Sequence, residues 1–156
     1  MGLLAIHRLD VINRGFGGSE IADSTFFVDR IVIPYRPKMV VLYAGDNDLA
    51  GGRTPQQVFQ DYKAFVERVH RKLPNIRIAF ISIKPSPARA SLLQSMREAN
   101  GLIKAYAIHA RRLIHIDVFT PMLDKDGSPR PELFGRLHMN SEGYRLWKLV
   151  VAPIIR

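Results

Sequence analysis

At 156 residues the chain is long enough for one domain with a sizeable core and short for two. Its 47% hydrophobic and 24% charged residues are those of an ordinary globular protein, and no apolar run has the length of a bilayer-crossing helix. The 23 basic residues against 14 acidic ones give a net charge of +9, and the absence of cysteine excludes disulfides, thiol catalysis and cysteine-bound metals.

Strand-like and helix-like stretches alternate along the chain. The opening residues 1–8 are too few and lack the basic region of a secretion signal. Residues 9–13 are expected to form a short strand, followed by a glycine turn at Gly15, Gly17 and Gly18. Ser19 is then expected to cap a helix carrying Ile21, Phe26, Phe27, Val28 and Ile31. Pro34 and Pro37 lead into a strand over 38–44 that ends in the turn Gly45-Asp46-Asn47-Asp48. That turn delivers an asparagine amide, a potential oxyanion donor, to the carboxyl edge of a sheet.

Thr54 followed by Pro55 is a strong helix start, and Val58, Tyr62, Phe65, Val66, Val69 and Leu73 recur on one helical face. Pro74 and Asn75 end that helix, and a strand is expected over 76–83. A long helix over about 90–110 and a strand over 113–118 follow, then a loop rich in proline and glycine over 124–131. The last helix is expected from Ser141 to about Val151, directly after Leu137-His138-Met139-Asn140. Strands separated by helices of this length imply an α/β domain, a parallel sheet covered on both faces, with function at the carboxyl ends of the strands. No internal repeat or linker divides the chain, so residues 1–156 are read as a single domain.

Three of these segments carry a resemblance. Asn13-Arg14-Gly15-Phe16-Gly17-Gly18, Gly45-Asp46-Asn47-Asp48 and Leu137-His138-Met139-Asn140 resemble the second, third and fifth blocks of the SGNH hydrolases, the GDSL-type esterases and lipases. The resemblance spans nearly the whole length and implies a three-layer, flavodoxin-like sheet in the order 2-1-3-4-5. It implies that the Gly18 N–H and the Asn47 amide hold an oxyanion while His138 serves as base. Preset donors of this kind lower a barrier by roughly 2.7–4 kcal/mol each. No metal or organic cofactor is implied. A dinucleotide fingerprint is excluded, because the position that would need its last glycine holds Glu20. His7, His70, His109 and His115 lack ligand-like spacing and read as surface or packing residues.

Two departures bear on activity. The family's nucleophilic serine belongs to a Gly-Asp-Ser block on a strand before the second block, and no such block fits ahead of Asn13. Ser19 is a weaker alternative as nucleophile than as helix cap. The family also places an aspartate three residues before its histidine, where this chain has Gly135; Asp126, Glu132 and Glu142 are near but off the motif. Losing the orienting acid of a triad costs about 10⁴ in rate, and losing the serine on the order of 10⁶.

The expected function is therefore hydrolysis of small acyl esters through a serine acyl-enzyme, impaired in a chain that lacks the first strand at its N-terminus. The alternative is a non-catalytic ligand-binding or scaffold relative. The expected partner is a small-molecule ester, with a sheet completed by strand exchange in a homo-oligomer or by a longer N-terminus. Basic residues such as Arg68, Arg71, Lys72 and Arg77 form no long run and are not interleaved with aromatics. Nucleic acid is accordingly not an expected partner.

Overall fold

The computed structural model describes residues 10–155. Its sheet has three parallel strands, β1 (Met39–Leu42), β2 (Arg77–Ile81) and β3 (Leu113–Ile116), in the order β1-β2-β3. Met39 pairs with Arg77 and Ile78 with Leu113, which fixes the register across the sheet. Parallel neighbours need long crossovers, and here helices supply them. The elements ahead of β1 are α1 (Ile21–Phe26) and α2 (Val28–Ile31); α3 (Asp46–Ala50) and α4 (Pro55–Lys72) join β1 to β2. Helix α5 (Leu93–Ile108) joins β2 to β3, and α6 (Ser141–Val151) closes the chain.

The period-two alternation of β2 divides the core into two layers. Ile78 and Phe80 point to one face, where they pack with Ile21 of α1, Tyr62, Phe65 and Val69 of α4, and Ile103 of α5. Ala79 and Ile81 point to the other, against Ile116, Val118 and the Trp147 and Val151 side chains of α6. The central strand is thus buried on both sides, as a doubly covered parallel sheet requires. This is the expected α/β architecture.

Helix α4 starts as expected. The Thr54 side chain accepts from the Gln57 N–H while the Gln57 side chain accepts from the Thr54 N–H, and Pro55 occupies the first turn. Helix α6 has the expected bounds, capped by Asn140, whose Oδ1 accepts from the N–H groups of Glu142 and Gly143.

Several expectations change, and among them the helix expected to carry Ile21 to Ile31 is broken at Phe27 into α1 and α2. The part of the strand expected over 9–13 that is described, from Asp10 onward, is irregular, and Val11 and Ile12 are about half exposed. An extended segment acquires a ladder only from a neighbouring strand, and none of the described strands lies beside it. Leu9 and His7 lie outside the described residues. Ser19 does not cap α1: Glu20 does, in a reciprocal pairing with Asp23, and the Ser19 hydroxyl donates instead to the Phe16 carbonyl at 3.0 Å. Finally, Asp46, Asn47 and Asp48 form the first turn of α3 rather than an isolated turn, and the long helix after β2 is preceded by a tight 3₁₀ segment over Pro87–Leu92.

Candidate active site

Gly45 makes the junction between β1 and α3. Its φ of +119° is a conformation that L side chains rarely adopt, and a Cβ there would stand 2.6 Å from the Ile83 Cδ1 atom. This sharp exit brings α3 directly to the carboxyl edge of the sheet and sets its first residues in a polar cluster. The Asp46 carboxylate accepts from Lys84 Nζ at 2.9 Å and stands 3.4 Å from Arg89 Nη1. Lys84 also reaches the Tyr43 hydroxyl at 3.1 Å. Burial alone would raise the Asp46 pKa, but Lys84 and then Arg89 outweigh it and hold the carboxyl below its ordinary range. The Tyr43 hydroxyl goes the other way, pushed up by burial and by the Asp46 charge.

Asn47 lies at the meeting point of three loops. Its Nδ2 donates to the Ser19 carbonyl at 3.2 Å, and its Oδ1 accepts from Arg89 Nη2 at 3.0 Å. Ser19 directly follows Gly18, which has a φ of +74° and is exposed. The Gly18 N–H has no hydrogen-bond partner among the described residues. An amide nitrogen carries two protons, so one N–H of Asn47 is also uncommitted. Asp48 completes the link between the two loops, because its Oδ1 accepts from the Ile21 N–H, the first of α1, at 3.1 Å. The structure therefore ties Asn47 to the residue after Gly18 and leaves the Gly18 N–H and one Asn47 N–H without a partner among the described residues.

His138 lies in the loop before α6, and the packing of α6 sets where that loop stands. Trp147 packs edge-on against Tyr43, just beyond β1, and its indole N–H donates to the Met122 sulfur, beyond β3. Met139 joins the apolar cluster that includes both Tyr43 and Trp147. The loop is closed by the Gly135 N–H donating to the His138 carbonyl at 2.8 Å, with Phe134 bridged to Met139. Gly143 fits α6 tightly against this loop, since a Cβ there would lie 2.4 Å from the Leu133 carbonyl oxygen.

The imidazole of His138 is exposed and has no polar partner among the described residues. The three nearby acids are engaged elsewhere: Glu132 with Arg130, Glu142 with Arg145, and Asp126 with the Ser128 N–H. No described hydrogen bond joins His138 to Asn47, to Gly18 or to a serine hydroxyl. The remaining described histidines pack or lie at the surface: His70 meets the Ile76 carbonyl at 3.1 Å, His109 follows α5, and His115 lies beside Phe80.

Arg89 and Lys84 are the residues that the motif reading missed. They come from the loop after β2, Lys84-Pro85-Ser86-Pro87-Ala88-Arg89, whose two basic side chains spaced by prolines at a strand's carboxyl end were the available signal.

The sequence model of the GDSL-like lipase/acylhydrolase family matches residues 2–146. The human platelet-activating factor acetylhydrolase IB subunit alpha1 is 26% identical over 139 residues, covering 87% of this chain and 59% of that protein. The chain thus spans about three fifths of the length of the curated relatives it matches. Among solved structures, a candidate acylhydrolase from Bacteroides fragilis NCTC 9343 superposes with a TM-score of 0.81 at 23% identity, covering 92% of this chain and 73% of that one. A GDSL-like lipase from Bacteroides thetaiotaomicron VPI-5482 gives 0.77 at 23% identity, covering 92% and 74%. At these identities the superpositions speak for the fold alone.

Proposed function

This chain belongs to the GDSL-like lipase/acylhydrolase family, and we propose that it carries the oxyanion half of an acyl-ester hydrolase site, built from the Gly18 N–H and the Asn47 amide. The observation that supports this reading most is the amide of Asn47, tied to the residue after Gly18 and left with one free N–H. In the proposed reaction His138 takes the proton from a serine hydroxyl as that oxygen attacks the acyl carbon of a small carboxylic ester. The tetrahedral oxygen is held by Gly18 and Asn47, the alcohol leaves with the proton, and water releases the acyl group by the same steps.

Two features support impairment in this chain. Ser19, the serine next to Gly18, gives its hydroxyl to the Phe16 carbonyl, and no acid orients His138 among the described residues. Residual acceleration from an oxyanion hole and binding alone is roughly 10³–10⁴ over water. The same two features favour the second reading, a relative that binds acyl esters without turning them over.

Hydrolysis of p-nitrophenyl acetate tests the proposal. Turnover above the buffer rate that falls at least about 10-fold in Asn47→Ala and in His138→Ala is the expected result. Turnover that both variants keep would remove these residues from the mechanism. Saturable ester binding with no turnover would establish the second reading.

A further inference from the structure

Asn47 does not hold its own amide in place. A guanidinium can only donate and a backbone carbonyl can only accept, so Arg89 Nη2 and the Ser19 carbonyl together admit one orientation of the carboxamide. Reversing it would set Oδ1 against the Ser19 oxygen and Nδ2 against a cation. We infer that Arg89 is a positioning residue for Asn47, holding the amide in the rotation that leaves one N–H free beside Gly18. Its consequence for catalysis rests on the hydrolase reading above.

The surroundings of Arg89 suit that task. The guanidinium is mostly buried, and Asp46, which also binds Lys84, balances its charge; an uncompensated cation there would be costly. Its loop is stiff. Pro85 and Pro87 restrict the backbone around Ser86, which is itself buried. The base of the loop is pinned by Asn100 of α5, whose Oδ1 accepts from the Ile83 N–H at 2.7 Å and whose Nδ2 donates to the Ile83 carbonyl at 3.0 Å. A continuous path of packed and bonded groups therefore runs from α5 through the loop to Asn47. Donation from a cation into Oδ1 also polarises the amide, which makes its N–H groups better donors.

The test reads the Asn47 side-chain amide directly, by ¹H–¹⁵N NMR of the full chain, with the signal assigned by its loss in Asn47→Ser. In the unmodified protein the Nδ2 proton donated to the Ser19 carbonyl should exchange with water at least about 10-fold more slowly than that of an exposed asparagine. Arg89→Met should abolish that protection while the backbone spectrum of the core strands persists, and Arg89→Lys, whose ammonium can still donate to Oδ1, should restore most of it. Should the methionine variant fail to fold, Arg89→Gln, polar but too short to reach Asn47, replaces it. Unchanged exchange in Arg89→Met or Arg89→Gln overturns the inference. The ester assay separates this from the hydrolase reading. If the unmodified protein turns over p-nitrophenyl acetate, Arg89→Met should lower kcat about 10-fold with KM within about 2-fold, as expected for a weakened oxyanion donor. If it shows no turnover, only the hydrolase reading falls, and the NMR result still decides the role of Arg89.

Discussion

Asp48 is fully buried, and while its Oδ1 holds the first N–H of α1, its Oδ2 has no partner. Burial is the main reason its pKa rises from 3.8 to about 6, with the bond from Ile21 working against that rise. The sign of the linkage follows. Between those two values the folded protein keeps a proton that the unfolded chain has released, so stability falls as pH rises through this window and is level above it. The loss attributable to this one group is at most about 3 kcal/mol. Asp48→Asn cannot ionise, so the difference in stability between variant and unmodified protein should grow in the variant's favour from pH 4 to pH 6 and stay constant to pH 8. Urea unfolding across that range measures it, and parallel pH profiles would show that Asp48 does not titrate there. Asp48 was visible in the sequence as a member of the Gly-Asp-Asn-Asp segment. That it ties α1 to α3 was not, because its partner lies 27 residues away and only the fold brings them together.

Among the elements, α6 and the loop before it decide where the candidate base stands. Gly143 sits in the first turn of α6 at a distance from the Leu133 carbonyl that no side chain can share, with Met139 close on the other side. Gly143→Ala should therefore push α6 away from its loop and destabilise the protein by about 1–3 kcal/mol, the usual cost of overpacking. Urea unfolding should show a lower midpoint with an unchanged slope. A midpoint equal to that of the unmodified protein would mean that the loop yields without strain. The bounds of α6 and the start of α4 were legible in the sequence for a local reason: Asn140 and Thr54 cap the helices that they directly precede, and the apolar spacing of each helix is self-contained. Ser19 misled because serine is a good cap in isolation. Glu20 and Asp23 form the reciprocal pair one residue later, and the turn at Phe16 claims the Ser19 hydroxyl.

At the scale of the molecule, the outer edge of β1 has no neighbour among the described strands, and Val11, Ile12 and Phe16 expose large apolar side chains. Unpaired strand edges and exposed apolar residues favour association with another chain, whereas a net charge of +9 opposes it at low salt. Light scattering during size-exclusion chromatography should show the mass rising with protein concentration and with salt. Replacing Val11 and Ile12 by lysine should suppress that rise. A monomer under all of these conditions would rule out strand exchange between copies of this chain.

The sequence by itself determined the α/β class with its parallel strands, the starts of α4 and α6, and the segments holding Gly18, Asn47 and His138. Each of these is written in local spacing: a period of two or 3.6, a cap, or a glycine at a sharp turn. Only the tertiary structure decided that residues 10–13 stand outside the sheet, that Asp46 is balanced by Lys84 and Arg89, and that Arg89 fixes the Asn47 amide. Those outcomes depend on which strand lies beside which and on which charges share a buried volume. They are pairings between residues about 40 positions apart, which no local pattern encodes.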